Sequence, residues 1–361
     1  MKKDDWKIKI ADDLCQDDNE NMCKFLQLFR SVEDEPFWSP EYYRWDLKDN
    51  PAGEGFLTLA VSDEKVVGTT SVTPKHIWYK GDIINAAEFR DGYTHPDFQR
   101  RGIFTAVAGA TIRRAQEAGH SLVYGLPNEQ TRPSSEKTLG FLTHPNFRLT
   151  RHKYICKPPA FMEQNFPHIL NQSLSQFMKL ILYFLRKSWV CVGKLFGISV
   201  KQVNCIGPEY NKLWGKYRWH NDFLLVRDFE YLHYRFFKHP LAKYEFYEAR
   251  RKGQIYGYLV TRRQKVSGKF YCIIADWFYN FKDPLIFLSL LNTALEKNLS
   301  HDIDGCLTWV TQSSPDKWLF AVSGFVPRGW APIIFQKNSI GKQILNRKDK
   351  WHFTIADSDN I

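Results

Sequence analysis

The stretch GYTHPDFQRRGIF, residues 92–104, decides the fold because it joins a β-rich segment to an amphipathic helical pattern. The start of a helix presents unpaired backbone N–H groups and the positive end of the helix dipole, and together these bind phosphate. Gly102 allows close approach of the backbone, while Arg100 and Arg101 add positive charge. The stretch therefore predicts a phosphate-binding loop, with a solvated basic turn before a surface helix as the alternative.

The loop is neither a P-loop nor a dinucleotide-binding fingerprint, because the lysine and the additional glycines of those motifs are missing. It resembles motif A of the GNAT acetyltransferases, in which a Thr-His-Pro strand end precedes the signature Gln/Arg-x-x-Gly-x-Gly/Ala. Gln99 to Gly102 match that signature, whereas Phe104 stands where Gly or Ala is usual and narrows the approach to a pyrophosphate. Residues 123–128 resemble the fifth strand of the family and residues 136–141 resemble its motif B.

The resemblance implies that acetyl-CoA, as cosubstrate, lies in a V-shaped splay between the fourth and fifth strands. It implies that the pantetheine amides pair with backbone at Gly92, Tyr93 and Thr94. The other cofactor contacts that it implies come from the loop, the first turn of the helix and the fifth strand: Gln99, Arg100, Arg101, Gly102, Ile103, Phe104, Thr105 and Asn128. The acceptor amine would attack the thioester directly, without an acyl-enzyme.

Direct attack needs a base, because only the neutral amine is a nucleophile, and an N–H group that stabilises the oxyanion. Glu88, on the predicted fourth strand, is our preferred base, and an ion pair with Arg90 or another cation is the competing interpretation. Asp91 is the second candidate, and strict alternation along the strand would put it on the other face. His95 is interpreted as a turn residue before a proline, and His76 is an unplaced alternative.

The general acid is less well defined than the cofactor loop. The family often has a tyrosine four residues before the motif B glycine, but this chain has Glu136 at that position. Ser134 and Ser135 precede it, and Ser135 with Glu136 completes the set of catalytic candidates. The alternative is that both serines cap a helix.

The acceptor site is expected at residues 33–38, where three carboxylates stand beside two aromatic rings and would receive a cationic amine. A solvated acidic loop is the alternative. No zinc or other metal site is expected, because no Cys-x-x-Cys pair occurs.

The chain also repeats itself. Residues 41–68 match residues 230–257 at an offset of 189, and residues 123–141 match residues 307–325 at an offset of 184. The predicted fold class is α/β with a mixed sheet, in two GNAT-like domains. Each domain is predicted to have the element order β–α–α–β–β–β–α–β–α–β. The predicted boundaries are 1–157 for the acyl-CoA-binding domain, 158–207 for a basic helical connector and 208–361 for a degenerate second domain.

The second copy lacks the phosphate loop and carries Asp283 at the corresponding helix start, where a carboxylate would repel a pyrophosphate. We therefore expect it to bind no CoA and to close the acceptor cleft. Asp276, Trp277 and Tyr279 are candidates for lining that cleft, with core packing favoured for the two rings. Residues 351–357 are predicted to form a closing strand.

Residues 177–196 are the most apolar part of the chain, but lysine and arginine interrupt them. The pattern favours a bridging helix packed on both halves, and a helix lying on an anionic membrane is the alternative. No transmembrane segment is expected.

Length and composition set the remaining limits. The 361 residues suggest about two domains, and the net charge of +11 suggests an acidic partner without naming it. A dedicated nucleic-acid binder is not favoured, because the chain has no long basic run and no known motif. Seven widely spaced cysteines and the absence of a leader-like N-terminus point to a reducing, cytoplasmic location.

Three functions stay open at this point. The preferred one is an acetyl-CoA-dependent N-acetyltransferase, an acyltransferase acting on the primary amine of a small molecule such as an amino sugar. The second is a Fem-type aminoacyl transferase that uses charged tRNA, and the third is a non-catalytic acyl-CoA-binding protein. The oligomeric state is not indicated by the sequence.

Overall fold

The computed structural model describes residues 6–11, 16–29, 39–129, 131–155, 168–266, 268–345 and 350–358. The expected acceptor segment at residues 33–38 lies outside these ranges. The helices in the described residues are α1 (Gln16–Phe29), α2 (Pro40–Leu47), α3 (Ile103–Glu117), α4 (Arg132–Lys137), α5 (His168–Leu195), α6 (Tyr210–Tyr217), α7 (Phe229–Phe237), α8 (Pro284–Asn298), α9 (Asp316–Val322) and α10 (Ser339–Leu345).

The strands in the same residues are β1 (Lys7–Ala11), β2 (Phe56–Ser62), β3 (Lys65–Tyr79), β4 (Asp82–Thr94), β5 (Leu122–Gly125), β6 (Phe141–Ile155), β7 (Ile198–Val203), β8 (Phe223–Leu225), β9 (Tyr244–Arg251), β10 (Gln254–Val266), β11 (Lys269–Tyr279), β12 (Gly305–Thr311), β13 (Phe325–Gln336) and β14 (Trp351–His352). They form one mixed sheet in the order β1-β2-β3-β4-β5-β13-β6-β12-β11-β10-β9-β7, with β8 beside β3 and β14 beside β8. The α/β class with a mixed sheet is thereby confirmed.

The two copies of the internal repeat exchange strands at the middle of this sheet. The order β2-β3-β4-α3-β5-α4-β6 recurs as β9-β10-β11-α8-β12-α9-β13. β13, from the second copy, lies between β5 and β6 of the first, and β6 pairs in turn with β12 of the second. Each copy therefore completes the sheet of the other, and the boundaries proposed at residues 157 and 207 stay a prediction.

Equivalent residues of the two copies also meet directly. Trp45 on α2 and Tyr234 on α7 stand 189 positions apart, the offset of the sequence repeat. Their rings stack with centroids 4.5 Å apart and an interplanar angle of 14°, and the Tyr234 hydroxyl donates a hydrogen bond to Trp45 O at 3.1 Å. The contact holds the second copy against α2, beside the strand that carries the predicted site.

α3 is fixed against the sheet by apolar packing and by a buried chain of hydroxyls. A Cβ on Gly68 would lie 2.7 Å from Ile103 Cγ2, so only glycine allows this close approach of β3 to the start of α3. Thr111 of α3 donates a hydrogen bond to Thr58 at 2.7 Å and also bonds Thr70, which joins the helix to β2 and β3. The position of the phosphate-loop region is thus set by buried contacts.

α5 packs on one side only. Leu182 and Trp189 join the apolar core cluster of the second copy, and Arg186 Nη1 donates to Tyr154 OH at 2.5 Å. The other side exposes large apolar side chains: Phe177, Leu180, Ile181, Tyr183, Phe184 and Leu185. In its described part the helix thus contacts α8 and, through Arg186, Tyr154 of β6, and it also has an exposed apolar side. In the described residues, no helix is long and apolar enough to cross a membrane.

The prediction of a closing strand at residues 351–357 is wrong beyond its first two residues. Only Trp351–His352 is a strand, and a short 3-10 helix follows at Ile355–Asp357. Thr354 and Asp357 form a capping box, and the Asp357 carboxylate accepts from the Arg227 guanidinium at 2.7 Å. These side-chain contacts favour a helical turn over continued pairing.

Candidate active site

A cleft opens where β4 and β5 stop pairing. The two strands run parallel at Ala86–Leu122, Ala87–Val123 and Glu88–Tyr124, and no paired residues follow in the described chain. Beyond this point lies a cleft of about 220 Å³, in the place expected for the splay. Its lining residues are Phe89, Arg90, Asp91, Gly92, Phe104, Gly125, Leu126, Pro127, Asn128, Thr131, Ser135, Arg151, Trp309, Ala331 and Ile334.

A β-bulge shapes the β4 side of the cleft. Asp91 and Gly92 stand opposite the single residue Thr70, and Asp91 has a φ of 53°. Thr69 Oγ1 donates to the Asp91 carbonyl at 2.7 Å, and Ser71 Oγ donates to its carboxylate at 2.6 Å. The bulge thus removes part of the backbone from the ladder beside the cleft.

The bulge also corrects the expected orientation of Asp91. Its carboxylate lies 3.7 Å from Arg90 Nη2 and accepts from Ser71, the residue directly opposite Arg90 on β3. Directly paired residues share a face of the sheet, so Asp91 reaches the same face as Arg90. The strict alternation that we predicted fails because the extra residue of the bulge breaks the period of two.

The predicted phosphate loop is an exposed turn that leads into α3. His95 Nδ1 accepts from Asp97 N–H at 3.2 Å and caps a short 3-10 helix, which confirms its interpretation as a turn residue. Arg100 and Gly102 have φ angles of 62° and 78°, and Gly102 is the N-cap of α3. Left-handed residues in a turn make concave arrays of N–H groups that suit an anion.

The side chains of the loop are held in ways that leave this concave backbone open. Arg101 Nη2 donates to the Asp97 carbonyl at 2.9 Å, and its guanidinium lies 4.8 Å above the Phe98 ring. Gln99 Nε2 donates to the Thr94 carbonyl at 3.3 Å. Arg100, Arg101 and Gly102 are all exposed, and the first-turn N–H groups of α3 have no partner within the helix.

Phe104 closes the gap between the loop and the bulge. A Cβ on Gly92 would lie 2.9 Å from Phe104 Cε2, so the ring packs directly on the glycine. Both residues line the cleft, and the effect of Phe104 on the approach of a pyrophosphate stays a prediction.

Motif B supplies one serine to the opposite wall. Asn128 Oδ1 accepts from Thr131 N–H at 2.8 Å, which orders the turn before α4. Ser135 is buried, lines the cleft and donates to the Thr131 carbonyl at 3.0 Å. Because α4 begins at Arg132, the alternative that Ser134 and Ser135 are helix caps is wrong.

Comparison with known proteins identifies the first part of the chain. Residues 17–141 match the family model described as an acetyltransferase (GNAT) domain. These residues form a domain of the GNAT acetyltransferase superfamily. The match covers the segment that contains the phosphate loop, β4, α3, β5 and α4.

Solved structures of low sequence identity share the fold of nearly the whole chain. A GCN5-related N-acetyltransferase from Anabaena variabilis ATCC 29413 has a TM-score of 0.60 at 12% identity, over 91% of this chain and 72% of that one. A conserved protein from Enterococcus faecalis V583, described as a probable N-acyltransferase, has a TM-score of 0.59 at 12% identity over 91% and 72%. Saccharomyces cerevisiae N-myristoyltransferase with bound myristoyl-CoA has a TM-score of 0.57 at 12% identity over 92% and 82%. A search of curated protein sequences finds no match.

Within the GNAT domain, the preferred base is fully buried. The Glu88 carboxylate lies 3.5 Å from Lys75 Nζ, and both side chains are buried. Arg90 instead bonds Asp46 of α2 at 2.8 Å. The ion pair that we weighed as an alternative therefore exists, with Lys75 as the cation. Glu88 stands one residue before the first lining residue of the cleft, and its role as base stays a prediction.

Glu136 is held outside the cleft lining of the GNAT domain. Its carboxylate accepts from Thr143 Oγ1 at 3.0 Å and lies 3.8 Å from Arg132 Nε. Of the two motif B candidates, the structure thus brings Ser135 but not Glu136 to the cleft wall.

Four lining residues of the GNAT cleft come from strands that the sequence analysis did not connect with the site. Arg151, Trp309, Ala331 and Ile334 come from β6, β12 and β13, which meet the cleft only through the strand exchange. The repeat was the available signal, since residues 307–312 match the fifth-strand segment at 123–128. It did not show that the copies exchange strands.

The second copy has a different residue arrangement at the corresponding helix start. Asp283 is the N-cap of α8 and its carboxylate pairs with Arg251 at 2.8 Å. Asp276, Trp277 and Tyr279 are buried in the core, which agrees with core packing for the two rings. The Asp276 carboxylate accepts from the buried Arg227 guanidinium at 2.9 Å.

Proposed function

We propose that the protein is an N-acyltransferase that uses acetyl-CoA and acetylates the primary amine of a small molecule. The observation that carries this proposal is the cleft at the end of the β4–β5 pairing, with the start of α3 at one side and Ser135 at the other. An acyl-CoA is the donor in this superfamily, and the acetyl group is the specific choice that we propose.

The cofactor-binding residues of the proposal are those that the motif implies. Backbone from Gln99 to Thr105, with the exposed concave turn at Arg100 and Gly102, would receive the pyrophosphate. Backbone at Gly92, Tyr93 and Thr94 would pair with the pantetheine amides, and Asn128 would face it from the other wall. The proximity of the bulge to the loop supports this path.

In the proposed reaction, the amine nitrogen forms a bond to the thioester carbonyl carbon and the carbon–sulfur bond breaks. Backbone N–H groups at the bulge would stabilise the oxyanion. Glu88 is the proposed acceptor of the ammonium proton. By rotating away from Thr131 O, the Ser135 hydroxyl would donate a hydrogen bond to the departing thiolate. Glu136 stays a catalytic candidate without a place at the cleft.

Calorimetry of acetyl-CoA binding tests the proposal directly. We expect the wild type to bind one acetyl-CoA per chain, because the second copy carries the paired Asp283 in place of a phosphate loop. Arg101→Glu should weaken binding about tenfold or more, since it reverses a charge next to the pyrophosphate. Arg113→Glu makes the same charge change on the exposed side of α3 and should bind like the wild type. No binding by the wild type would overturn the proposal.

The same measurements separate the alternative functions. A Fem-type enzyme would bind charged tRNA with steep salt dependence and would ignore acetyl-CoA. A non-catalytic acyl-CoA-binding protein would bind acetyl-CoA without releasing CoA in the presence of any amine. An amino sugar as acceptor and a cytoplasmic location stay predictions.

We also propose peripheral contact of α5 with an anionic membrane. Phe177, Leu180 and Phe184 are exposed by 60%, 52% and 58%, and the helix contains lysine and arginine but no acidic residue. Apolar side chains flanked by cations suit the surface of an anionic bilayer. Phe177→Ser with Phe184→Ser should reduce cosedimentation with phosphatidylglycerol vesicles, while Phe270→Ser on β11 should not. Equal sedimentation of both variants, or a dimer through this helix in light scattering, would contradict the contact.

A further inference from the structure

The cleft is lined from both faces of the sheet. Phe104 belongs to the apolar cluster under α3, together with Val123 of β5. Trp309 belongs to the cluster on the opposite side, together with Tyr124 of β5 and Leu149 of β6. Because successive residues of a strand point to opposite faces, the cleft connects the α3 face with the other face through the gap between β4 and β5.

Arg151 lines the cleft from β6, which lies beyond β5 and β13 in the sheet, whereas the phosphate loop follows β4. Arg151 is directly opposite Trp309 in the β6–β12 register, so the two side chains share a face. Arg151 is exposed and lines the cleft, whereas Trp309 is only 8% exposed. A planar indole thus forms the wall beside a guanidinium.

The two arginines that line the cleft differ in their contacts with carboxylates. Arg90, the other arginine in the lining, bonds Asp46 at 2.8 Å and lies 3.7 Å from Asp91. Arg148, on the same strand as Arg151, lies 4.1 Å above the Trp330 ring. Among the residues that the structure describes, no carboxylate forms an ion pair with Arg151. A guanidinium in this position suits two oxygen atoms of a carboxylate or phosphate.

We infer that Arg151 binds an anionic group, a carboxylate or a phosphate monoester, that belongs to the acceptor amine. This inference rests on the proposed function and narrows its substrate class to amines that also carry a negative charge. The donor enters with its phosphates at the start of α3, so the opposite end of the cleft is left for the acceptor. Arg151 then orients the acceptor with its amine toward the thioester, in the gap between β4 and β5.

Acceptor pairs that differ only in the anion test the inference. CoA release would be followed with β-alanine against β-alaninamide, and with glucosamine 6-phosphate against glucosamine. The first pair reports a carboxylate and the second a phosphate. We expect the wild type to have a KM at least about tenfold lower for the charged member of one pair, because a charge-assisted bidentate contact is lost with the neutral one.

Arg151→Gln should remove this preference by raising the KM for the charged acceptor, with little change for the neutral one or for acetyl-CoA. Arg151→Lys should restore part of it, and Arg148→Gln, a matched change on the same strand, should keep the wild-type preference. A higher KM for acetyl-CoA in Arg151→Gln would show that Arg151 contacts the donor and would overturn the inference. So would the lack of turnover with every charged acceptor by a protein that binds acetyl-CoA. Failure of the wild type to bind acetyl-CoA would instead contradict the proposed function.

Discussion

At the scale of single residues, variants of the buried pair Glu88 and Lys75 distinguish a catalytic role of Glu88 from a role in stability. If Glu88 is the base, Glu88→Gln should lower kcat by about 10²–10⁴-fold and remove the acidic limb of the pH–rate profile, while the KM for acetyl-CoA is kept. Stopped-flow or steady-state CoA release across pH 5–9 would measure both effects.

A double variant provides the control for Glu88. Removing one partner of a buried ion pair costs about 3–5 kcal/mol, because the other charge stays buried and uncompensated. Glu88→Leu with Lys75→Met removes both charges and should fold well. Wild-type kcat in that double variant would show that Glu88 has only a structural role.

The loop residues were predictable from sequence because the chemistry is local. Gln99 to Gly102 form one turn, and Phe104 packs on Gly92, while the narrowed approach to a pyrophosphate stays a prediction. The orientation of Asp91 was not predictable, since a bulge depends on how β3 and β4 align and leaves no composition signal. Asp46, which bonds Arg90, was missed because one acidic residue on an amphipathic helix is usually solvated.

At the scale of elements, Gly193 controls the contact between α5 and α8. A Cβ at Gly193 would overlap Ser289 Oγ and lie 3.2 Å from Ser289 Cβ, and Ser289 is buried. Gly193→Ala should therefore lower the free energy of unfolding by about 1–3 kcal/mol through overpacking, despite its better helix propensity. Urea unfolding followed by tryptophan fluorescence would measure the change.

A glycine-to-alanine substitution in a different helix serves as the reference for Gly193→Ala. Gly215 lies in α6, and no atom lies within 4 Å of the place that a Cβ would take there. Gly215→Ala should therefore be neutral or stabilising by up to about 1 kcal/mol. Adding Ser289→Ala to Gly193→Ala should recover part of the loss. If the two glycine variants are equally stable, the two helices do not pack as closely as the structure places them.

Some elements have a local signal in the sequence, and others depend on distant partners. Helix α8 (Pro284–Asn298) belongs to the first kind, because a proline stands in its first turn. The start of β6 at Phe141 belongs to the second kind, because β13 pairs with it there. The end of β3 combines both, because residues 77–79 pair with β4 across a tight turn and with the distant β8.

At the scale of the whole molecule, the repeat indicated the order of elements but not their assembly. The offsets of 189 and 184 residues predict two similar halves, and Trp45 stacked on Tyr234 shows equivalent positions in contact. The exchange of β6 and β13 could not be predicted from the sequence of either copy. A strand that pairs within its own copy has the same hydrophobic pattern as one that pairs with the other copy. Arg151 and Trp309 therefore enter the cleft only in the folded assembly of both copies.

The end of the described chain joins both halves and makes global stability depend on pH. The Tyr124 hydroxyl donates to the Asp357 carbonyl at 3.0 Å, while His352 Nε2 bonds the Trp277 carbonyl at 2.7 Å. Burial holds the pKa of His352 well below its usual value, and the Arg227 charge lowers this pKa further. The folded protein thus keeps this imidazole neutral where the unfolded chain, with a pKa near about 6.5, takes up a proton.

Stability from the neutral His352 is therefore fully present above about pH 6.5 and is lost as the pH falls below it. Between pH 6.5 and pH 5 the loss amounts to about 2 kcal/mol, at about 1.4 kcal/mol for each pH unit. His352→Gln keeps a side-chain donor but cannot titrate, so the stability difference between wild type and variant should shrink by this amount over that range. Urea midpoints at both pH values would measure it.

Comparing the variant with the wild type cancels the titrating groups that do not contact His352, whereas Asp316 lies 3.9 Å from its Nδ1. Burial raises the pKa of Asp316 and of Asp357, which stabilises the folded state as the pH falls and would mask the histidine in the wild type alone. If the difference for His352→Gln is constant from pH 6.5 to pH 5, the imidazole takes up a proton in the folded protein as it does in the unfolded chain. The Nε2–H of His352 would still donate to the Trp277 carbonyl in that case, because both nitrogens of a protonated imidazole are donors.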